Sequence, residues 1–216
     1  MTGFDALRLG MVDSQIRVAD VTDHRIIAAF LETPRENFVP AGREQLAYLD
    51  TRTPLGAPGR TMLDPMTLAK LIQLAKPRAQ DRVLVVGCGL GYTAAVLAGL
   101  CAEVVGVEVD PQLAAEAGRR LSGLPNVKVV EGPLPKGAPD DGPFDLIFCD
   151  GAVETGLQSL VGQLAPAGQI VAPAGGTRAM KATIFRAHGD EIAAAPYFDA
   201  SGPILPGFER VEAFSF

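Results

Sequence analysis

Three glycines stand in the spacing G-x-G-x-G directly after a run of apolar residues, at Gly87, Gly89 and Gly91. Gly87 can make a tight turn, and Gly89 lets the backbone approach a ligand without an intervening side chain. Gly91 allows a following helix to pack close to the preceding strand. A dinucleotide fingerprint, G-x-G-x-x-G, would need glycine at position 92, where this chain has Tyr92. The spacing therefore predicts a ligand-cradling loop and disfavours a nicotinamide or flavin cofactor.

An acidic residue, Glu108, follows at a spacing that fits the same ligand. It stands 21 positions after Gly87, at the end of a second apolar run. A carboxylate at this place can accept two hydrogen bonds from the hydroxyls of a ribose. The alternative is a solvated carboxylate at a strand end. Together the loop and Glu108 favour S-adenosylmethionine as the cofactor, and Cys88 and Tyr92 are further candidate residues of the cofactor loop.

Two more carboxylates follow later predicted strands. Asp150 comes after the fourth strand, where it can contact substrate or cofactor or cap a helix. Glu131 follows the third strand and is either a cofactor-binding acid or an exposed charge in a turn. The three cysteines are odd in number and far apart, and neither they nor the two histidines show metal-ligand spacing. We therefore predict no metal site and no disulfide, and we expect the cysteines to be small buried residues of a cytoplasmic protein.

Short apolar runs that alternate with helical segments predict the elements that position these residues. Strands are expected over 83–86, 104–107, 127–130, 144–149, 169–172, 182–186 and 211–216, and a helix is expected over 154–164. This rhythm is typical of an α/β protein with a doubly wound, mostly parallel sheet of about seven strands. In such a fold the ligand binds beyond the carboxyl ends of the strands.

The chain before this core has a different character. Residues 1–76 read as a helical extension with a loop rich in proline and glycine over 51–65, and Pro65 should open a helix. We expect residues 77–216 to form the cofactor-binding core, with the two parts in one unit. The apolar segment 203–208 should pack over the sheet edge or over the ligand crevice.

Several stretches resemble the protein-L-isoaspartate O-methyltransferase family. They read MVDSQIR at 11–17, TPRENFVP at 33–40, LAYLD at 46–50, FDLI at 144–147 and LAPAGQ at 164–169. The resemblance implies a Rossmann-like methyltransferase fold and transfer of a methyl group from S-adenosylmethionine to an isoaspartyl carboxylate of a damaged protein. The resulting ester closes to a succinimide that can reopen to aspartate. Because a carboxylate is already ionised at neutral pH, this transfer needs no general base.

The resemblance also places the catalytic region at 61–65, where the sequence departs from the family pattern. The family usually has Thr-Ile-Ser-Gln-Pro, and this chain has Thr-Met-Leu-Asp-Pro. Leu63 takes the place of a serine and cannot donate a hydrogen bond, while Asp64 would repel a carboxylate substrate. Thr61 can still supply a hydroxyl.

Two positions on the cofactor side depart from the family as well. Val85 stands where an acid is common, and Pro133 interrupts a Gly-Asp-Gly, which leaves Glu131 as a possible substitute. The main hypothesis is an isoaspartate methyltransferase. The alternative is a relative without isoaspartate activity that acts on another substrate or as a ligand-binding or regulatory protein.

Charge and hydropathy exclude two classes of partner. The net charge is −6, and the basic residues form no stripe that could follow a nucleic-acid backbone. No run of about 18 apolar residues occurs, so we expect no membrane span and no signal peptide. The expected partner is a damaged protein or peptide, and a monomer is favoured.

Overall fold

Three helices and a small hairpin form the N-terminal part of the chain. The computed structural model describes residues 3–176, 179–188 and 191–210. The bounds in this part are α1 Gly3–Met11, α2 His24–Glu32, β1 Thr53–Pro54, β2 Thr61–Met62 and α3 Pro65–Ala75. α3 begins at the predicted proline, and the Asp64 carboxylate caps it by accepting a 2.8 Å hydrogen bond from the Thr67 amide.

Seven strands follow within the described residues and form one sheet. Their bounds are β3 Arg82–Val86, β4 Glu103–Glu108, β5 Val127–Glu131, β6 Phe144–Cys149, β7 Leu164–Gly176, β8 Ala179–His188 and β9 Glu191–Asp199. The order across the sheet is β5-β4-β3-β6-β7-β8-β9. The first five in this order are parallel, and β8 and β9 are antiparallel to their neighbours. The predicted α/β fold with a mostly parallel sheet is confirmed.

Helices connect the parallel strands. They are α4 Tyr92–Ala98, α5 Pro111–Arg120 and α6 Gln158–Val161. α5 has Pro111 at its first position, and the Asp110 carboxylate caps it by accepting from the amides of Gln112 and Leu113. Over the described ranges, no helix combines the length and apolar character needed to cross a membrane.

The sheet is covered on both faces, which explains why its strands read as continuous apolar runs. Alternate residues of a strand point to opposite faces. In β3, Val83 and Val85 belong to a core shared with the N-terminal helices, and Leu84 and Val86 belong to a second core on the other face. Such two-sided burial is typical of parallel strands.

Arg35 joins the N-terminal part to the loop after β2. This side chain is fully buried and donates to the carbonyl of Ala47 at 2.8 Å and to the carbonyl of Leu63 at 2.7 Å. Its guanidinium lies 4.7 Å from the centre of the Tyr92 ring. Tyr92 in turn packs against Phe30 and Phe38. One cation therefore holds two loops against the start of α4.

The strand order reverses beside β3, which has β4 on one side and β6 on the other. Chain connections leave this point in opposite directions, so a crevice is expected at the carboxyl ends of β3 and β6. Gly87 follows β3 and Asp150 follows β6 at this position. The topology therefore places Gly87 and Asp150, both candidate site residues from the sequence, at this crevice.

Two predicted elements differ in the structure. The helix expected over 154–164 is reduced to α6, because the chain after β6 makes bridges between Ala152 and Ile204 and between Val153 and Ala174. The seventh strand is β9, which the sequence did not indicate because it is rich in alanine and contains Pro196. Proline is tolerated there because β9 is at the edge of the sheet formed by the described residues. The strand predicted over 211–216 lies outside the described residues.

Candidate functional site

The glycine loop turns sharply at the carboxyl end of β3. Gly87, Gly89 and Gly91 all have positive φ angles, of 77°, 57° and 98°. Residues other than glycine rarely adopt this conformation, so the three glycines are needed for the turn itself. The loop is tied to β4 because the amides of Gly87 and Cys88 both donate to the Val107 carbonyl, at 2.9 and 3.2 Å.

Glu108 ends β4 and points its carboxylate into this loop. Its Oε2 accepts a 2.8 Å hydrogen bond from the Gly89 amide, and its Oε1 accepts from the amides of Val109 and Asp110 at 2.9 and 3.2 Å. The side chain is fully buried. The structure therefore brings together the glycine loop and the acid that the sequence paired with it.

A third group, which the sequence analysis missed, also reaches Glu108. Arg60 lies on the hairpin between β1 and β2, and its Nη2 donates to Glu108 Oε2 at 2.5 Å and to the Gly87 carbonyl at 3.0 Å. The Arg60 side chain is 5% exposed. The ion pair is thus buried and lies across the turn of the glycine loop.

Two leucines pack directly on the same loop. A Cβ atom built on Gly89 would lie 2.5 Å from Cδ1 of Leu55, which is also on the hairpin. A Cβ atom built on Gly87 or on Gly151 would lie 2.7 Å from Cδ2 of Leu205. Both leucines are buried. The surface that the glycines leave free of side chains is therefore covered by other parts of this chain.

Asp150 follows β6 on the opposite side of the crevice. It is 6% exposed, and its Oδ1 has no hydrogen-bond partner among the residues that the structure describes. Burial raises the pKa of Asp150 to about 6, and nearby Thr93, Arg60 and Arg35 offset only part of this effect. Asp150 thus lies in the same buried polar group as the Arg60–Glu108 pair.

The remaining candidate cofactor residues point elsewhere. The Cys88 sulfur packs toward β4, since a Cβ atom on Gly106 would lie 3.0 Å from it. The Tyr92 ring packs with the N-terminal residues described above. Glu131 is the last residue of β5, where it pairs with Glu108 of β4, and its side chain is exposed. Cys88 can therefore contact a ligand in the loop only through its backbone.

The residues of the predicted catalytic region are close in sequence but differ in environment. Thr61 is half-buried, and its Oγ1 has no partner among the described residues. Leu63 is fully buried, with its Cδ2 3.2 Å from where a Cβ atom on Gly202 would stand. Asp64 is occupied as the cap of α3. Its carboxylate is thus tied to a backbone amide.

An open cleft of about 820 Å³ lies beside this region. Its walls come from the chain before β1, the start of α3 and the residues around β8 and β9. They include Asp50, Thr51, Arg52, Asp64, Met66, Thr67, Met180, Asp199 and Ser201. Arg52 donates a 2.5 Å hydrogen bond to the Ser201 hydroxyl across the cleft. The cleft therefore presents one guanidinium, several hydroxyls and the carboxylates of Asp50, Asp64 and Asp199 next to residues 61–64.

No metal cluster is present in the described part of the chain, since no three or more His, Cys, Asp or Glu residues come together there in a suitable arrangement.

Comparison with known proteins shows the family to which this geometry belongs. The profile of the family described as Protein-L-isoaspartate(D-aspartate) O-methyltransferase matches residues 9–197. The chain belongs to this family. Two proteins named protein-L-isoaspartate O-methyltransferase are similar to it along most of their length. The Methanoculleus marisnigri protein is 40% identical over 167 residues, 76% of each chain. The Methanoregula boonei protein is 41% identical over 176 residues, 81% of this chain and 80% of that one.

Solved structures of isoaspartate methyltransferases share the fold. One protein-L-isoaspartate O-methyltransferase superposes with a TM-score of 0.80 at 25% identity, covering 93% of this chain and 66% of that one, so this chain spans about two thirds of its length. A Plasmodium falciparum protein described as an isoaspartate methyltransferase, in complex with S-adenosyl-L-homocysteine, gives a TM-score of 0.73 at 17% identity. That alignment covers 95% of this chain and 99% of the other.

The glycine loop and Glu108 are residue types that fit the cofactor of the isoaspartate methyltransferase family. In this conformation, however, the crevice beside them has no room for it. S-adenosylmethionine is the methyl donor of the family. A glycine loop lets the backbone approach a ligand, and a strand-end carboxylate beside it can accept hydrogen bonds from ribose hydroxyls, which suits the adenosyl group. In this structure Arg60 is bonded to that carboxylate, and Leu55 and Leu205 lie on the glycines. The chain's own side chains therefore fill the place of the ligand.

Proposed function

We propose that this chain is an S-adenosylmethionine-dependent protein-L-isoaspartate O-methyltransferase that esterifies isoaspartyl carboxylates of damaged proteins. One observation carries the proposal. In a chain that belongs to this family, Glu108 lies within hydrogen-bond distance of the glycine loop at the carboxyl end of β3. When bound, the cofactor supplies an electrophilic methyl group. The residues of the chain would bind and orient the two reactants and exclude water.

The cofactor side of the site has clear candidates for each contact. Gly87, Gly89 and Gly91 would let the backbone approach the ligand, and Glu108 would hold its ribose. Asp150 would offer its unpartnered carboxylate oxygen to a polar group of the ligand. Glu131 is a weaker candidate because its side chain is exposed.

On the substrate side, the open cleft supports binding of an extended peptide. Arg52 would attract the negative charge of the isoaspartyl group. Thr61, which does not line the cleft, would offer its buried and unpartnered hydroxyl near the reacting carboxylate. Leu63 would exclude water from this point, which strengthens electrostatic interactions within the site. Since the substrate carboxylate is ionised at neutral pH, the chain needs to orient it rather than to deprotonate it.

A pair of peptides tests the proposed activity. Transfer of labelled methyl from S-adenosylmethionine is measured to an isoaspartyl peptide and to the aspartyl peptide of the same sequence. We expect transfer to the isoaspartyl peptide alone, and we expect Leu63→Ser to raise the rate, because the new hydroxyl can donate to the substrate carboxylate. Binding of S-adenosyl-L-homocysteine without transfer by either protein would favour the relative without isoaspartate activity.

We also propose that the protein acts as a cytoplasmic monomer and that residues 1–76 and 77–216 form one unit. Three free buried cysteines support a reducing compartment. The buried Arg60–Glu108 pair crosses the boundary between the two parts and supports their folding together. Size-exclusion chromatography with light scattering tests the monomer.

A further inference from the structure

The carboxylate that should hold the ribose already has all its hydrogen bonds. Glu108 accepts from Arg60 and from the amides of Gly89, Val109 and Asp110. An ionised carboxylate has about four acceptor positions. Ribose hydroxyls can therefore bind Glu108 only if one of these donors leaves. Three of the four are backbone amides fixed by the loop, so Arg60 is the donor that can move.

The volume beside the loop is filled from the same hairpin. Leu55 covers Gly89, and Arg60 reaches the Gly87 carbonyl. Leu205, from the chain after β9, covers Gly87 next to Arg60 and is held by a 2.9 Å hydrogen bond from its amide to the Ala152 carbonyl. Leu55 and Arg60 are buried whereas Pro54, Gly56 and Gly59 are exposed, so the hairpin lies over the crevice and inserts these two side chains into it.

The hairpin itself is held by few interactions. Its strands β1 and β2 have two residues each. Across its tip, the Leu55 amide donates to the Arg60 carbonyl at 3.0 Å, and the Arg60 amide donates to the Ala57 carbonyl at 3.1 Å. Gly56 and Gly59 have positive φ angles of 93° and 70°. A two-stranded ribbon this short is marginally stable by itself, so it can move without disturbing the sheet.

We propose that the hairpin from Thr53 to Met62 is an internal plug of the S-adenosylmethionine site, with Arg60 bound to Glu108 in place of the ribose hydroxyls. The plug must withdraw before the donor enters. The inference rests on the proposed function, because it assumes that the donor uses this crevice. It gives the hairpin a second task besides carrying the start of the catalytic region, namely to hold the cofactor site closed at rest.

If the site is closed in most molecules, the apparent dissociation constant for the donor equals that of the open form divided by the fraction of molecules that are open. If about 1% of molecules are open, the dissociation constant is about 100-fold higher than that of the open form. Calorimetric titration with S-adenosyl-L-homocysteine measures this constant in wild type, Arg60→Gln and Leu55→Ala. We expect each variant to bind about tenfold more tightly or better. Leu55→Ala leaves the buried ion pair in place, so it remains informative if Arg60→Gln fails to fold.

Matched controls separate the plug from general effects. Arg17→Gln removes an arginine from an exposed ion pair with Asp13, and Leu49→Ala removes an exposed leucine. Both should bind S-adenosyl-L-homocysteine like wild type. A second readout is amide hydrogen exchange. Saturation of the wild type should speed exchange at Leu55 and Arg60, whose amides bond within the hairpin.

The outcomes distinguish this inference from the proposed function. Tighter binding by the two plug variants together with faster exchange supports the plug, even if no isoaspartyl peptide is methylated. Equal binding by all variants, or slower exchange in the hairpin, overturns the plug and leaves the proposed activity intact. Absence of binding by wild type and both plug variants overturns both.

Discussion

At the residue scale, Asp150 is a buried acid whose pKa is raised to about 6 because burial disfavours its charged form. A folded pKa above the unfolded value of 3.8 means that the folded state binds the extra proton between about pH 4 and pH 6. The free energy of unfolding therefore falls as the pH rises through this window, by about 3 kcal/mol if Asp150 acts alone.

Asp150→Asn removes this titration. We expect the variant to be about 1–3 kcal/mol more stable than wild type at pH 7.5, with the difference shrinking toward pH 4. Urea denaturation at several pH values measures this. Asp140→Asn, which changes an exposed carboxylate, serves as the control for replacing a carboxylate that is not buried. A constant difference between wild type and Asp150→Asn across the range would contradict the assignment.

Glu108 and Arg60 show which residues of the site could be predicted from the sequence. Glu108 was found because its distance from Gly87 is fixed by one strand-helix-strand unit, which is a local signal. Arg60 is 48 positions from Glu108, and nothing in its own neighbourhood indicates that its guanidinium turns inward. The one indication in the sequence was the position of Arg60 directly before residues 61–65, where the chain departs from the family pattern. That position does not identify Glu108 as its partner.

At the element scale, the contact between hairpin and glycine loop can be tested by its sterics. Gly89→Ala would place a methyl group 2.5 Å from Leu55 Cδ1 and would impose a φ of 57° on alanine. The backbone strain costs about 1–2 kcal/mol, and the clash adds to it. We expect Gly89→Ala to lower the free energy of unfolding by about 2–4 kcal/mol.

Adding Leu55→Ala should recover part of that loss, because it removes the clashing atoms but not the strain. Chemical denaturation of the single and double variants in a double-mutant cycle measures the coupling. Gly118→Ala, at a helical position where a Cβ atom would meet nothing within 4 Å, is the control and should not be destabilising. Strict additivity of Gly89→Ala and Leu55→Ala would show that the two residues do not touch in solution.

Strands and helices were predictable where a local sequence pattern specifies them. They were less predictable where their extent depends on pairing with distant segments of the chain. The inner parallel strands β3, β4 and β6 are buried on both faces and are recognisable in the sequence as apolar runs. β9 is an edge strand whose residues are largely exposed, so it has no such run. The helix after β6 was overestimated because the residues around Ala152 pair with the distant segment near Ile204.

At the scale of the whole molecule, the three thiols report on global opening. Cys88, Cys101 and Cys149 are all free and buried. Burial raises the pKa of Cys88 above its ordinary range and raises the pKa values of Cys101 and Cys149 to about 12. A thiol that is both inaccessible and protonated reacts slowly.

We therefore expect native protein to react with a thiol reagent such as 5,5′-dithiobis(2-nitrobenzoic acid) at pH 8 at least about a hundred times more slowly than protein in guanidinium chloride. Reactive thiolates occur in exposed, electropositive surroundings, and these cysteines have neither exposure nor a dominant cation. The unfolded protein, which should release three equivalents, is the internal control. Rapid modification of the native protein would show that the cores open far more readily than this packing allows.

The overall architecture followed from alternation of strands and helices, and the crevice followed from the topology. That the crevice is filled did not follow from either. Filling depends on Leu55, Arg60 and Leu205, which lie far apart in the sequence and meet only once the sheet has formed. Contacts between residues so far apart produce no spacing or periodicity in the sequence from which they could be predicted.

The position of Leu205 in the chain has a consequence for synthesis. During translation the glycine loop and Glu108 leave the ribosome about a hundred residues before Leu205 does, and upstream parts of a chain begin to fold first. A nascent sheet is then covered at this point by the hairpin alone, until the segment bonded to Ala152 arrives. The floor of the crevice is consequently most accessible to a small molecule before the chain is complete.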